Sequence, residues 1–376
     1  MRICLICNQV AAWGKVGGFG TNTRRLGRAL AAAGVDVHVV VPRRRGQRRV
    51  EHLDGMIVHG QSWREVLFGT GLYRDIDADV YHAEEPTICA YHAQQAMPNR
   101  VHLVTSMDPR GPADWWIELC HATWTRRIKF PVQYWYENSW LVRRSVQSAH
   151  GVHVEAEFLK EKAARHYGLK TMPGLLPKPV EIPSGPFKKA DRPLCVFLGR
   201  FDPRKRPSLF FQLAEQMPDV DFIAMGRAHD GNYERHLARR YFHLPNVEVT
   251  GFIDPFQDHT FHNILSRAWV LVHPAAREGL PTAFQEASAR EMAILAYVDP
   301  GGYVSRFGDV VTDDGSIGTL ATALREMLGS GRWRDKARAG RQWNITHHSV
   351  SVSVATHMSE YEHQLLNLGR AASGCA

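Results

Sequence analysis

The sequence predicts an α/β protein of two Rossmann-like domains, each a parallel sheet covered by helices, facing one another across an interdomain cleft. Three observations carry this. Short β-like runs alternate with amphipathic helical stretches from the first residues onward. Several of these runs are continuously apolar rather than alternating, as strands buried on both faces require. The rhythm breaks in a proline-rich stretch and then restarts. With 376 residues the chain is too long for one small core and suits two domains.

Taken in order, Arg2–Cys7 reads as a strand, Thr21–Ala33 has helical spacing, and Val35–Val41 is a nearly continuous β-branched strand. Val80–Ala83, Val101–Ser106 and Gly151–Glu155 are further strands. Between Pro112 and Ser148 the pattern changes, with Trp115, Trp116, Trp124, Tyr134, Trp135, Tyr136 and Trp140 in one inserted segment. Such rings either pack helices into the core or form platforms for sugar rings and apolar tails. Met172–Pro193 holds six prolines and reads as a stiff, extended connection. Beyond it the strands are Leu194–Leu198, Phe222–Met225, Val247–Thr250 and Trp269–His273. The division expected is 1–183 and 184–351, with an amphipathic helix over 352–370 packing back on the first domain.

Composition excludes several classes. No apolar run approaches the roughly 18 residues of a membrane span, and the start MRICLIC runs into Asn8 and a glycine-rich turn rather than a cleavage site. A cytoplasmic protein is expected, with peripheral contact at the inner membrane face as an option. Cys4 and Cys7 form a CxxC, but three residues apart on a strand they point to opposite faces. No second pair completes a zinc site, so buried reduced thiols are expected. The net charge of +8 owes much to Arg43, Arg44, Arg45, Arg48 and Arg49, a solvated loop or a patch for anionic lipid or phosphate. Nucleic acid is not expected as a partner, because no zinc finger, helix-turn-helix or RNA-binding aromatic signature is present.

Three segments carry chemistry. Gly14, Gly17, Gly18 and Gly20 lie between the first strand and its helix, where glycine permits close backbone approach and helix amides favour anions. The spacing GKVGGFG is not a dinucleotide fingerprint, and the second strand ends in Pro42 and arginines rather than an acid. NAD is therefore disfavoured, while NADP stays open. After a strand, GRFDPRKR (199–206) places Arg200 and Lys205 in a loop where they either face a phosphate or sit in solvent. After the strand WVLVHP comes REGLPTAFQE (277–286). Pro281 suits a helix start, leaving the preceding amides unpaired. Glu278 lies in the turn and Glu286 about one turn into the helix. One carboxylate can accept from sugar hydroxyls while the other holds a ribose, with Gly279, Leu280, Pro281 and Thr282 between them.

On these residues the chain resembles the family-4 retaining glycosyltransferases of the GT-B fold. The likeness spans the glycine loop, the GRxxxxK segment, the turns at Gly226–Arg227 and Gly251–Phe252, and EGLP-x4-E. The resemblance implies transfer from a nucleoside-diphosphate sugar, needing no cofactor or metal, to a sugar, lipid-linked or small-molecule acceptor. Arg200 and Lys205 would hold the diphosphate, Glu278 the donor sugar, Glu286 the ribose, and Gly17–Gly18 would lie across the cleft. One departure is Met107, where many members have a histidine; Asp108 is the candidate to take over its polar role. His82, Glu84, Arg110, Trp115 and Trp116 are candidates to line the cleft or acceptor site, His82 with a structural role favoured. Rival readings are a nucleotide-sugar 2-epimerase and a catalytically inactive glycan-assembly subunit.

Overall fold

A computed structural model describes residues 1–13 and 17–373, so Gly14 and Cys375 lie outside the described residues. The chain divides into two compact units. The first comprises 1–112, 127–179 and 348–376, and the second 113–126 and 180–347.

The first unit holds β1 (Arg2–Ile6), β2 (Asp36–Pro42), β3 (Val50–Leu53), β4 (Met56–Gln61), β5 (Val80–Ala83), β6 (Val101–Ser106), β7 (Gly151–Val154) and β8 (Gly174–Leu175). They form one sheet in the order β3-β4-β2-β1-β5-β6-β7-β8, parallel except for the β3–β4 hairpin. The hairpin turns on Asp54 and Gly55, both at positive φ, the two-residue turn that matches strand twist. Helices α1 (Gly18–Ala32), α2 (Trp63–Phe68), α3 (Gly71–Ile76) and α4 (Ile88–Ala96) come first. The chain then runs through α5 (Pro112–Cys120) and the first three residues of α6 (Trp124–Glu137), which group with the second unit apart from Pro112, before the rest of α6, α7 (Trp140–Gln147) and α8 (Lys160–Tyr167) return to the first.

The second unit holds β9 (Leu194–Leu198), β10 (Asp221–Met225), β11 (Val247–Gly251), β12 (Val270–His273), β13 (Ala293–Ala296) and β14 (Gly308–Val310). All pair in parallel, in the order β11-β10-β9-β12-β13-β14. Its helices are α9 (Pro207–Gln216), α10 (Gly231–Tyr241), α11 (His259–Arg267), α12 (Thr282–Ala289), α13 (Tyr303–Phe307), α14 (Ile317–Ser330) and α15 (Trp333–His347). The last helix, α16 (Val350–Ser373), belongs to the first unit and packs on α1 and β6.

Central strands are buried throughout, as the continuous apolar runs require: Ile3 to Ile6 in β1, and all of β12 and β13. Each sheet has one topological switch point, where successive strands leave in opposite directions. In the first sheet it lies between β1 and β5, in the second between β9 and β12. In such sheets the crevice at the carboxyl ends of those two strands is the natural ligand site.

Two expectations change. Core packing accounts for Trp115, but Trp116, Trp124, Tyr134, Trp135 and Trp140 are exposed, and most of α5 groups with the second unit rather than the first. Cys4, Cys7, Cys89 and Cys195 are buried thiols, whereas Cys120 is exposed at the end of α5.

Candidate functional site

At the switch point of the second sheet, β9 delivers Gly199–Arg206 and β12 delivers Pro274–Pro281. The two loops are tied together by backbone: the amide of Ala276 donates to the carbonyl of Arg204 at 3.0 Å. Arg206, at φ +49, donates from Nε to the carbonyl of Pro274 at 2.7 Å, fixing the turn that carries Lys205. Lys205 Nζ then lies 2.6 Å from Glu278 Oε1, both side chains nearly buried. Burial would raise the Glu278 carboxyl, but Lys205, His273 and Arg204 override it and hold it well below the usual carboxylate range. The same burial lowers Lys205, with Glu278 opposing. At 2.6 Å the pair is an ionised, charge-assisted hydrogen bond.

His273, the last residue of β12, is fully buried and kept neutral by burial. Its Nε2–H donates to Glu278 Oε1 at 3.2 Å, and its Nδ1 has no hydrogen-bond partner among the described residues. The ring stands edge-on to Phe284 of α12, centroids 5.0 Å apart, so its direction is set by packing.

Arg200 follows β9 directly and is half-buried, which lowers its pKa. No hydrogen bond or ion pair engages its guanidinium among the described residues. Around it stand further pairs: Arg126 with Asp202 at 2.7 Å, Arg204 with Glu118 at 3.3 Å, and Arg277 with Asp114 at 2.6 Å. Asp114 and Glu118 are one turn apart on α5 and face these two arginines together.

Beyond the loop, α12 begins at Thr282 with Pro281 in the capping position and no side-chain cap. Its first amides therefore add partial positive charge beside Glu278 and Gly279. Leu280 and Pro281 are buried and Thr282 half-buried. Glu286 is buried one turn further on, its Oε2 2.6 Å from Nη1 of the fully buried Arg290. Nη2 of Arg290 donates to His262 Nδ1 at 2.8 Å. Gly226 ends β10 against β9; a Cβ there would lie 1.8 Å from the Gly199 carbonyl oxygen, so only glycine fits. The exposed Arg227 accepts from the Phe201 amide at 3.0 Å, and Phe252, after the positive-φ Gly251, is exposed.

The switch point of the first sheet is different. Gly17 caps α1 and Gly18 begins it, and most of the helix's first half is buried. His82, at the end of β5, is buried and kept neutral, with Nδ1 2.8 Å from Tyr361 Oη on α16 and Nε2 2.8 Å from Thr105 Oγ1. Glu84 accepts from Thr23 of α1, and burial pushes its carboxyl up to about 7. Both line a small cavity of about 20 Å³ with Asn22, Met107, Lys178 and His357, room for a single water. Asp108 pairs with Lys162 of α8 at 3.1 Å, and Arg110 pairs with Glu137 of α6. Trp115 is buried and Trp116 exposed.

Arg200, Lys205 and Glu278 thus meet at one switch point, and Glu286 lies on the helix that follows. His82, Glu84, Asp108 and Arg110 lie in the other unit, each held by its own partner. Sequence reading missed His273, Arg204, Arg277, Arg290 and the Asp114–Glu118 pair. Signals existed for two of these: His273 closes the strand WVLVHP, and Asp114 and Glu118 sit four apart on a helix.

A family model described as Glycosyl transferases group 1 matches residues 181–341, and one described as Glycosyltransferase Family 4 matches residues 16–180. No curated protein matches the chain. Among solved structures, sucrose-phosphate synthase from Thermosynechococcus elongatus superposes with a TM-score of 0.73 at 18% identity, covering 97% of this chain and 99% of that one. HepE from Anabaena, solved in complex with UDP-glucose, gives 0.70 at 14% identity over 96% and 99% of the two chains. WaaG, a glycosyltransferase involved in lipopolysaccharide biosynthesis, gives 0.69 at 15% over 94% and 98%.

Proposed function

The chain belongs to the family-4-like glycosyltransferases of the GT-B fold, and from that premise we propose that it transfers a sugar from a nucleoside-diphosphate sugar with retention at the anomeric carbon. The observation that carries the donor half is the Lys205–Glu278 ion pair between the carboxyl ends of β9 and β12. A leaving diphosphate needs positive charge that is already oriented. Lys205, Arg200 and the uncapped amides of α12 supply it, with no metal called for. Glu278, held ionised and aimed by His273, accepts hydrogen bonds from the sugar hydroxyls. Glu286, on the same helix, receives the ribose hydroxyls and is held by Arg290.

None of the described groups of this site is placed as a nucleophile on its own base. Retention is therefore assigned to same-face attack, with the departing phosphate taking the acceptor's proton. The acceptor is assigned to the first unit, where Gly17, Gly18, His82 and Glu84 lie at the β1–β5 switch point, the arrangement its topology favours. The neighbour solved with UDP-glucose supports a nucleotide-sugar donor.

The test is a thermal-shift screen of UDP-, GDP- and ADP-sugars, followed by incubation of the best binder with acceptors and anomeric assignment of the product. Stabilisation by one donor series, with free nucleoside diphosphate and an α-linked product from an α-linked donor, is expected. An inverted product would remove the retaining assignment. An epimerised free sugar in place of a glycoside would replace transfer by epimerisation.

A further inference from the structure

We propose that the first unit seats on an anionic phospholipid surface through α6, Trp140 and α2. The inference goes beyond the transfer reaction and is independent of which donor the protein uses.

None of the described side chains of helix α6 is buried. Trp124, Ile128, Val132 and Trp135 are all exposed, Val132 at 70% and Trp135 at 68%. At the helical step these four fall within an arc of about 80°, one continuous apolar stripe. Arg127 and Lys129 lie on either side of it, each about a sixth of a turn beyond its edge. The helix's single acid, Glu137, is taken up by Arg110. An apolar stripe with aromatic ends and a cation on each flank is the composition of a helix lying in the bilayer interface, with long basic side chains reaching the headgroups.

The stripe does not end with the helix. Trp140, at the start of α7, is 67% exposed and stands 6.3 Å from Tyr91 on α4. The neighbouring His92 bonds through Nε2 to the carbonyl of Leu67 on α2 at 2.8 Å. On α2, Trp63 and Phe68 are 76% and 78% exposed. The arginine-rich loop is tied to this helix by Arg49, whose Nη2 is 3.1 Å from Glu65 Oε1. Arg43, Arg45, Arg48 and Arg64 stand exposed beside it. Clustered exposed aromatics of this kind mark an interaction surface. Tryptophan with arginine is the pairing found at membrane interfaces.

Charge chooses the occupant. A second copy of the chain would bring the two sets of flanking cations together, as a two-fold contact repeats every residue. An anionic headgroup layer instead sets opposite charge beside the flanking cations and the arginine loop, and the net charge of +8 adds attraction.

The experiment is co-sedimentation of the full chain with vesicles of phosphatidylglycerol and phosphatidylcholine in equal parts, against phosphatidylcholine alone. Binding to the mixed vesicles, weakened by added salt, is expected. Ile128→Asp combined with Trp135→Ser should weaken it by about tenfold or more. Arg127→Glu with Lys129→Glu should remove the preference for the anionic vesicles. These positions are exposed, so circular dichroism and the thermal shift with a nucleotide sugar should match wild type. That match keeps loss of docking distinct from loss of fold or of donor binding. The proposal is overturned if wild type ignores both vesicle types, if it binds both equally, or if the apolar variant binds as wild type does. It is also overturned if wild type is instead a concentration-dependent dimer that the apolar variant turns monomeric.

Discussion

The two units share a strand order around their switch points yet place opposite chemistry there. Between β9 and β12 stand an ionised Lys205–Glu278 pair, Arg200 and the uncapped start of α12. Between β1 and β5 stand a glycine turn, a neutral His82 and Glu84, whose carboxyl is raised to about 7 by burial. One crevice holds an ionised pair, while in the other burial works against charge on His82 and Glu84. A diphosphate donor needs the first kind of surface. A hydroxyl-bearing acceptor, as proposed for the first unit, needs only hydrogen-bonding groups. In the proposed arrangement the same topology would serve two ligands because the loops at its strand ends differ.

The largest expected effect breaks this asymmetry directly. Lys205→Ala should lower kcat by about a hundred- to thousandfold, since it removes charge aimed at the leaving group. Glu278→Ala should match it, because it strips the sugar contact and leaves Lys205 buried without its partner. Glu84→Gln should stay within about tenfold of wild type. Steady-state kinetics on the three proteins decides the matter; a Glu84→Gln loss as deep as that of Lys205→Ala would place the decisive charge in the wrong unit.

Glycine supplies the next contrast, in stability. At Gly226 an added Cβ would strike the carbonyl oxygen of Gly199 at 1.8 Å, backbone against backbone. Gly226→Ala should cost about 3 kcal/mol or more in urea unfolding, with β9 and β10 forced apart. At Gly17 the added Cβ would meet, among the described residues, the Gln9 side chain at 3.5 Å. Gly17→Ala should cost less than about 1 kcal/mol. Equal costs would mean that the glycine turn of the first unit is as tightly fitted as the strand crossing of the second.

Protonation separates the units by pH. Burial is the main cause of the raised Glu84 carboxyl; Thr23 and Lys178 oppose it and Glu85 adds to it. A carboxyl whose folded pKa lies above its unfolded 4.5 holds its proton longer in the native state, so stability falls as pH rises from about 4.5 to about 7. His82 and His357, kept neutral by burial, act in the opposite direction over the acid part of this range. The difference between Glu84→Gln and wild type isolates the carboxyl. It should grow in favour of the variant between pH 5 and pH 8, by up to about 3 kcal/mol. A flat difference would show that Glu84 is ionised throughout and that the first crevice carries charge after all.

The sequence made the fold legible wherever strands were buried on both faces. β1, β2, β5, β6, β7, β9, β10, β11 and β12 all emerge from runs of apolar or β-branched residues. The β3–β4 hairpin was missed although Asp54-Gly55 is a turn signal, because its strands alternate and are half-exposed. β13 was not read as a strand, since its run of four residues is short and follows directly on a helical stretch. At the site, the motif showed which residues meet but not what holds them. Lys205 and Glu278 are 73 positions apart, and only the adjacency of β9 and β12 joins them. Arg290 beneath Glu286 is a residue four along the same helix, a spacing available to any Glu–Arg pair; its complete burial gives it weight. Met107, at the position where many members of the resembled family have a histidine, is buried beside His82 and Thr105, so a polar contact there falls to neighbouring groups.

The smallest expected effect concerns His273, and it sharpens how the charged crevice keeps its geometry. The imidazole touches no substrate in the proposed arrangement; it donates to Glu278 and packs on Phe284. Removing its hydrogen bond leaves the Lys205–Glu278 pair intact but frees the carboxylate to turn. Groups that orient a binding residue from behind are worth about ten- to a hundredfold. His273→Leu should therefore raise the KM for the donor about tenfold, with kcat falling less. His273→Gln can keep one donor pointing at Glu278 and should recover part of the loss. If His273→Leu instead lowered kcat alone and glutamine gave no recovery, the histidine would be acting on the transition state rather than on the aim of Glu278. The division between a crevice of fixed charges and a crevice of neutral groups would then have to admit a buried histidine on the charged side.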